Sequence, residues 1–239
     1  MFLYGRNSIF ERLKKNPRTI KKIFLQDSFD VSHIEKLIHK NNIPVERLNP
    51  KGLARIKHAK DLQGIVAKVD MFTYAHFDEL VNQPKDNQSA LVFLDRLYDP
   101  QNLGVIIRTA ACFGGFSIVI PRFNACEVTE AVLHVASGGE NYVPVAMVSN
   151  ISDSIIKAKK KGYWIMGGVL SLDAKDIHDI SIPFPLGLVL GSEGEGIRYG
   201  IEKHLDLKAR IPMKGAPLSF NVAMACAIFC YEITKQKLA

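Results

Sequence analysis

Three stretches of this chain set polar or charged side chains beside small, bendable residues at the mouths of apolar helices. Residues 211–231 read IPMKGAPLSFNVAMACAIFCY: a strand-like Ile211–Met213, a small-residue loop Lys214–Leu218, then Ser219 and Asn221 opening a helix with an almost wholly apolar body. A helix mouth carries unpaired backbone N–H groups and the positive end of the helix dipole. It therefore favours negative charge and lets a ligand lie against backbone. Ser219 is the expected cap, with Asn221 just inside the first turn. Ile211, Met213 and Phe220 have the bulk to wall an adenine and would serve equally well as core.

The second stretch, YDPQNLGVIIRTAACFG at 98–114, breaks a strand at Asp99–Pro100 and starts a helix near Asn102. Arg108 follows six residues later, nearly two turns on, in an otherwise apolar helix. An arginine buried there is costly unless paired. A structural ion pair and a grip on a ligand phosphate or carboxylate fit equally well. The third, LGSEGEGI at 190–197, has Gly191, Gly194 and Gly196, which allow close backbone approach to a ligand. It is neither GxGxxG nor GxxxxGK[ST]. Glu193 there is either an acceptor for a ligand or RNA hydroxyl, or an exposed turn carboxylate.

Positioning these loops takes a layered scaffold. From residue 90 onward, short β-rich runs (Ala90–Leu94, Ser117–Ile120, Val143–Val148, Tyr163–Val169, Gly187–Leu190 and Leu207–Met213) alternate with helical stretches near 102–113, 128–136, 151–161 and 219–238. Near-continuous apolar strands separated by helices predict a largely parallel sheet covered on both faces. Ligands bind such sheets beyond the strand carboxyl ends, where all three loops fall. Residues 1–72 predict a separate small α/β unit: a helix capped by Asn7, strands at Ile20–Leu25, Pro44–Leu48 and Gly64–Val69, and helices at Ser32–Lys40 and near Gly52–Ile56. Residues 73–89, ending in NQPKDNQS, read as a linker, leaving 90–239 as the second domain.

The net charge of +7 is unevenly spread: residues 1–70 hold fifteen lysines and arginines against seven acids, and the remainder is close to neutral. A basic domain joined to a neutral one points to a polyanion partner. The longest apolar run near the C-terminal end, Val222–Tyr231, is too short to span a bilayer, and MFLYGRNS lacks a signal-peptide layout. The cytoplasm is the expected compartment, with no membrane partner. Cys226 and Cys230, one turn apart in an apolar helix, read as small buried side chains, and no metal site is expected from the histidine and cysteine spacing.

Together the three stretches resemble the motifs of the SpoU (TrmH-type) branch of the SPOUT RNA methyltransferases: NLGVIIRTA the first, LVLGSEGEGI the second, IPMKGAPLSFNVAMA the third. YGRNSIFERL followed by IKKIFL is similar to the L30e-like substrate-binding domain of the 23S rRNA guanosine 2′-O-methyltransferases. The resemblance implies a C-terminal SPOUT-type α/β domain with a trefoil knot, a homodimer, RNA as substrate with structured rRNA foremost, and S-adenosylmethionine as cofactor. It places the cofactor against Gly191, Ile211 and Phe220, with Leu190, Met213 and Leu218 nearby; Phe220 stands where leucine is usual. The catalytic set it implies is Asn102, Arg108, Glu193, Ser219 and Asn221. An arginine stays protonated, so Arg108 would position a phosphate and stabilise a developing alkoxide. Asn102 would orient Arg108 or the ribose, Ser219 and Asn221 would line the cofactor, and Glu193 would help place the RNA. Competing readings are a tRNA 2′-O-methyltransferase of the same branch, a non-catalytic RNA-binding factor and, without a dinucleotide fingerprint to support it, an oxidoreductase.

Overall fold

The computed structural model describes residues 1–239 except 60, 84–87, 193, 217 and 239. The basic first part holds strands β1 (Phe2–Tyr4), β2 (Ile20–Gln26), β3 (Val45–Leu48) and β4 (Ile65–Val69), which lie in the order β1-β4-β2-β3. Helices α1 (Arg6–Lys15), α2 (Glu35–Lys40) and α3 (Pro50–Ile56) pack around them. Strand β1 is too short to show a sequence pattern. It draws the start of α1 forward, so Gly5 at φ 89 takes the cap position and Asn7 lies inside the helix rather than capping it.

The stretch expected to be a linker carries a further helix, α4 (Phe77–Val81), whose Leu80 and Val81 are buried. Its Ala75 bridges Ala146, so the segment adheres to the second sheet instead of swinging free; residues 84–87 lie outside the described residues.

The second sheet is built from β5 (Ala90–Leu94), β6 (Phe116–Pro121), β7 (Val145–Val148), β8 (Trp164–Gly168), β9 (Lys175–Asp176), β10 (Leu186–Leu190) and β11 (Leu207–Arg210). Their order is β7-β6-β5-β10-β8-β11-β9, and all these pairings are parallel. Leu188 of the central strand pairs with Val92 on one side and Met166 on the other. Every residue of β5 and of β10 is buried, as the unbroken apolar runs require of strands covered on both faces. Alternate side chains take opposite faces. Val92, Leu94, Leu188 and Leu190 join the core under α5 (Pro100–Phe113), α6 (Glu130–Ala136) and α9 (Val222–Leu238). Leu91, Phe93 and Val189 join a second cluster under α4 and α7 (Ile151–Lys160). A short helix, α8 (Tyr199–Glu202), follows β10. Strand β11 stops at Arg210, so Ile211–Met213 belongs to a loop and not to a strand. Cys226 and Cys230 are buried thiols 3.9 Å apart. No helix of the described residues is long and apolar enough to cross a membrane.

The two parts share a core. Leu3, Ile9 and Leu13 belong to the same buried cluster as Ile107 and Leu133. Across the seam, buried Arg12 donates to buried Glu140 at 3.1 Å, the Phe2 N–H donates to Glu130 at 2.6 Å, and the rings of Tyr4 and His134 stack at 4.2 Å. Lys57 pairs with Glu130 in the same seam.

Candidate active site

Because the second sheet is parallel, β5, β8, β10 and β11 all deliver their following loops to one edge. The loops after β8, β10 and β11, together with α9, enclose a cavity of about 400 Å³, within the usual size of small-molecule sites. Five of the six expected cofactor positions line it: Leu190, Gly191, Ile211, Met213 and Phe220. Leu218, 73% exposed, does not. Gly168, Val169 and Phe229 complete the apolar wall; they were not anticipated, and the glycine pair ending β8 was the only local signal.

The glycines of the β10 loop act first on the loop itself. A Cβ on Gly191 would lie 2.1 Å from the backbone carbon of Gly196. The loop doubles back there, with the Gly196 N–H donating to Ser192 at 3.0 Å and with Gly194 and Gly196 at φ 89 and 67, a region closed to most side chains.

A carboxylate directly after β5 anchors the far end of this loop. Asp95 is 1% exposed; it accepts the Arg198 backbone N–H at 3.1 Å and, from the same guanidinium, Nε at 2.9 Å and Nη2 at 2.6 Å. The carboxylate raises the pKa of Arg198 through this hydrogen bonding. The adjacent Arg96 takes a left-handed backbone, φ 57, pairs with Glu195, and keeps a buried Nε that makes no hydrogen bond among the described residues and lies 4.0 Å from Asp95. Such strain costs of order 1–3 kcal/mol and collects at ligand clamps. Sequence reading missed this brace, although two charged residues directly after a wholly apolar strand were visible in LDR at 94–96.

Asn221, not Ser219, caps α9. Its Oδ1 accepts the N–H groups of Ala223 at 2.9 Å and Met224 at 3.4 Å. This leaves exposed Ser219 on the cavity wall. The same side chain reaches the first loop: Asn221 Nδ2 donates to Asn102 Oδ1 at 2.9 Å. Asn102 is buried in the first turn of α5, which begins at Pro100, earlier than expected, under an Asp99 cap that accepts the Gln101 N–H at 2.9 Å.

Arg108 is not the buried arginine that the apolar helix suggested. Core contacts of α5 run through Leu103, Ile106, Ile107 and Ala110, so Arg108 falls on the opposite face, exposed and without a hydrogen bond or ion pair among the described residues. It lines neither this cavity nor its neighbour. Glu193 lies outside the described residues. The neighbour is a cavity of about 290 Å³ between the β5 and β10 loops, lined by Arg96, Tyr98, Asp99 and Asn102 and sharing Ser192 and Glu195 with the larger one. Among the described residues Asp176, His178 and Asp179 come close enough to share a cation, but Asp176 is already paired with Arg210.

Comparison with known families decides what this arrangement is. Residues 89–231 match the model of the SpoU rRNA methylase family, and residues 2–75 match that of RNA 2′-O ribose methyltransferase substrate binding. The chain belongs to the SpoU methylase family. It is an enzyme of the class that transfers a methyl group from S-adenosylmethionine to a ribose 2′-oxygen of RNA. Among SpoU relatives, a 23S rRNA (guanosine-2′-O-)-methyltransferase of Coxiella burnetii is 31% identical over 99% of this chain and 96% of its own. An uncharacterized tRNA/rRNA methyltransferase of Synechocystis is 34% identical over 98% of this chain, which spans only 62% of that longer relative. In fold, this SpoU chain matches the AviRb methyltransferase of Streptomyces viridochromogenes, solved with AdoMet, at a TM-score of 0.83 and 20% identity over 100% of this chain and 90% of that one. The family models fall on the two sheets as the seam divides them, one on each side.

Proposed function

We infer that this enzyme methylates a guanosine 2′-hydroxyl of 23S rRNA, with the cavity of about 400 Å³ holding S-adenosylmethionine. The observation that carries the reading is the convergence of all three motif loops on one edge, joined by the Asn102–Asn221 hydrogen bond. The cavity suits the donor chemically. Leu190, Ile211, Met213 and Phe220 offer apolar surface to an adenine, and Glu195 and Glu202 on the same wall offer negative charge to a sulfonium or an ammonium. The donor supplies an electrophilic methyl group. Ser219 and the doubled-back β10 loop hold it in place, while Asn221 fixes the mouth of α9 and Asn102 orients the ribose.

Arg108, permanently protonated, positions a substrate phosphate and stabilises the alkoxide developing at the 2′-oxygen. The proton passes to the phosphate or to water. In a single chain Arg108 is exposed and outside the cavity, which favours a homodimer that carries the α5 of one copy to the cleft of the other. Exposed Met224 and Tyr231 on α9, the latter edge-on to Phe113 of α5, offer the apolar strip for it. We retain the trefoil knot in residues 90–239 as part of this reading, the division at 1–72, 73–89 and 90–239, and a cytoplasmic location where rRNA is available. Exposed cations on the first part, among them Lys36, Lys40, Lys51 and Arg55, give it a surface for RNA phosphates.

The test is incubation with labelled S-adenosylmethionine and total RNA from a strain lacking the protein, followed by mapping of ribose methylation. Label in 23S rRNA supports the reading, label in tRNA transfers it to the tRNA branch, and no label leaves an RNA-binding factor. Arg108→Ala is expected to abolish transfer while leaving donor affinity nearly intact; full activity would remove Arg108 from the mechanism.

A further inference from the structure

We propose that the cavity of about 290 Å³ beside the donor site is the pocket for the target nucleobase, and that it is built for guanine, with Tyr98 as the stacking surface and Asp99 as the reader. The proposal rests on the ribose-methylation reading and adds the base to it. Four observations lead there.

The first is adjacency. The two cavities share Ser192 and Glu195, and Asn102, bonded to Asn221, lines the smaller one, so a nucleotide with its ribose beside Asn102 has that hollow for its base. The second is Tyr98, which lines the smaller cavity yet is 60% exposed, an aromatic face with no ring partner among the described residues. Proteins that take single nucleotides out of structured RNA stack them on such rings.

The third is the carboxylate inventory. Asp99 spends one oxygen on the Gln101 N–H, and the other accepts no hydrogen bond among the described residues. Glu195, on the same wall, is balanced by Arg96. A carboxylate is acceptor-only. Guanine alone among the four bases offers it two adjacent donors, N1–H and the N2 amino group. Adenine and cytosine each set a ring acceptor beside their amino group, and uracil flanks its single N–H with two carbonyls. A carboxylate oxygen accepts more than one hydrogen bond, so Asp99 can still take both donors, and the charge-assisted pair is available only to guanine. The fourth is Arg96, whose left-handed backbone at the end of β5 turns the chain so that residues 96–99 face the β10 loop across the hollow. Glu195, paired with Arg96, then stands on the β10 side of the hollow.

Full-length protein saturated with S-adenosylhomocysteine is titrated with 5′-GMP, 5′-IMP and 5′-AMP under ligand-observed NMR, and the same variants are assayed for methyl transfer to RNA from the deletion strain. The expected order of affinity is GMP over IMP over AMP, IMP lacking only the N2 amino group. Tyr98→Ala lowers GMP affinity and methyl transfer by roughly 5- to 150-fold, the span measured for loss of one base-stacking aromatic. Tyr98→Phe stays near wild type. Asp99→Asn keeps a competent helix cap but replaces an acceptor with an amide, and so erases the preference for GMP over AMP. Donor affinity is unchanged in all three. Equal binding of GMP and AMP to the wild type, or GMP binding and transfer that both ignore Tyr98→Ala, overturns the proposal. GMP selectivity that vanishes in the variants, in a protein that methylates no ribose, would keep the pocket and sink the ribose-methylation reading instead.

Discussion

The seam between the two parts and the cleft at the carboxyl edge of the large sheet use the same residue types to opposite ends. In the seam, buried or half-buried polar groups pair across the two parts: Arg12 with Glu140, Phe2 and Lys57 with Glu130, Tyr4 with His134, although Arg12 Nε and one Glu140 oxygen keep no hydrogen-bond partner among the described residues. In the cleft buried Asp95 and Asn102 anchor the loops from behind, while Ser219, Tyr98 and Phe220 face outward. The shared apolar core and the buried Arg12–Glu140 pair make the seam a lock. Groups pinned from behind but open in front are preorganised for something else to satisfy. The difference teaches that polar pairing closes the seam, whereas the cleft keeps polar groups open on a rigid support.

The comparison breaks most sharply at Arg12. Arg12→Ala strands Glu140 in the seam and should cost about 3–5 kcal/mol, read from chemical denaturation, with donor affinity of the folded fraction unchanged. Joint replacement of Arg12 and Glu140 by apolar residues of similar volume should restore most of that loss. At the cleft the pattern should invert. Gly191→Ala pushes a methyl into the Gly196 backbone and should cost about 1–3 kcal/mol of stability, but donor binding measured calorimetrically should disappear. Asn221→Asp keeps the cap of α9 and removes the amide that donates to Asn102. Stability should stay within about 1 kcal/mol of wild type while the methyl-transfer rate falls, and an undiminished rate would make that bond purely structural.

The smallest effect is with pH. Burial raises the Glu140 carboxyl above its ordinary value of 4.5, against the pull of Arg12. The folded state then holds this proton more tightly than the unfolded chain. Its contribution to stability is full below the ordinary value and is lost as pH rises through the raised one. Melting temperature followed upward from acid should show this decline in wild type and not in Glu140→Gln.

Much of the scaffold was legible because it is local. Strands β5 and β10 are unbroken apolar runs, and α7 carries its apolar face at helical spacing. What escaped was either too short or too distant. Strand β9 has two residues and β1 three, below any periodicity. The cap of α9 went to Ser219 because both serine and asparagine cap well and only backbone geometry chooses between them. The Asp95–Arg198 brace joins residues 103 apart, and no window along the chain contains both. Arg108 was legible as a residue type but not in its setting. A helix that reads as apolar throughout still has an outer face, and Arg108 lies on it. For the site, the sequence supplied the loops and most of the cavity wall, while the anchors behind them came only from the folded chain.

The amide bridge from Asn221 to Asn102 spans 119 positions. A growing polypeptide therefore has no finished pocket when its first motif emerges from the ribosome; more than a hundred further residues must be synthesised before the two asparagines can meet. Fragments ending ahead of residue 221 inherit the strands and lose this junction. The cleft is therefore completed late and all at once, after α9 has followed α5 out of the machine that builds it.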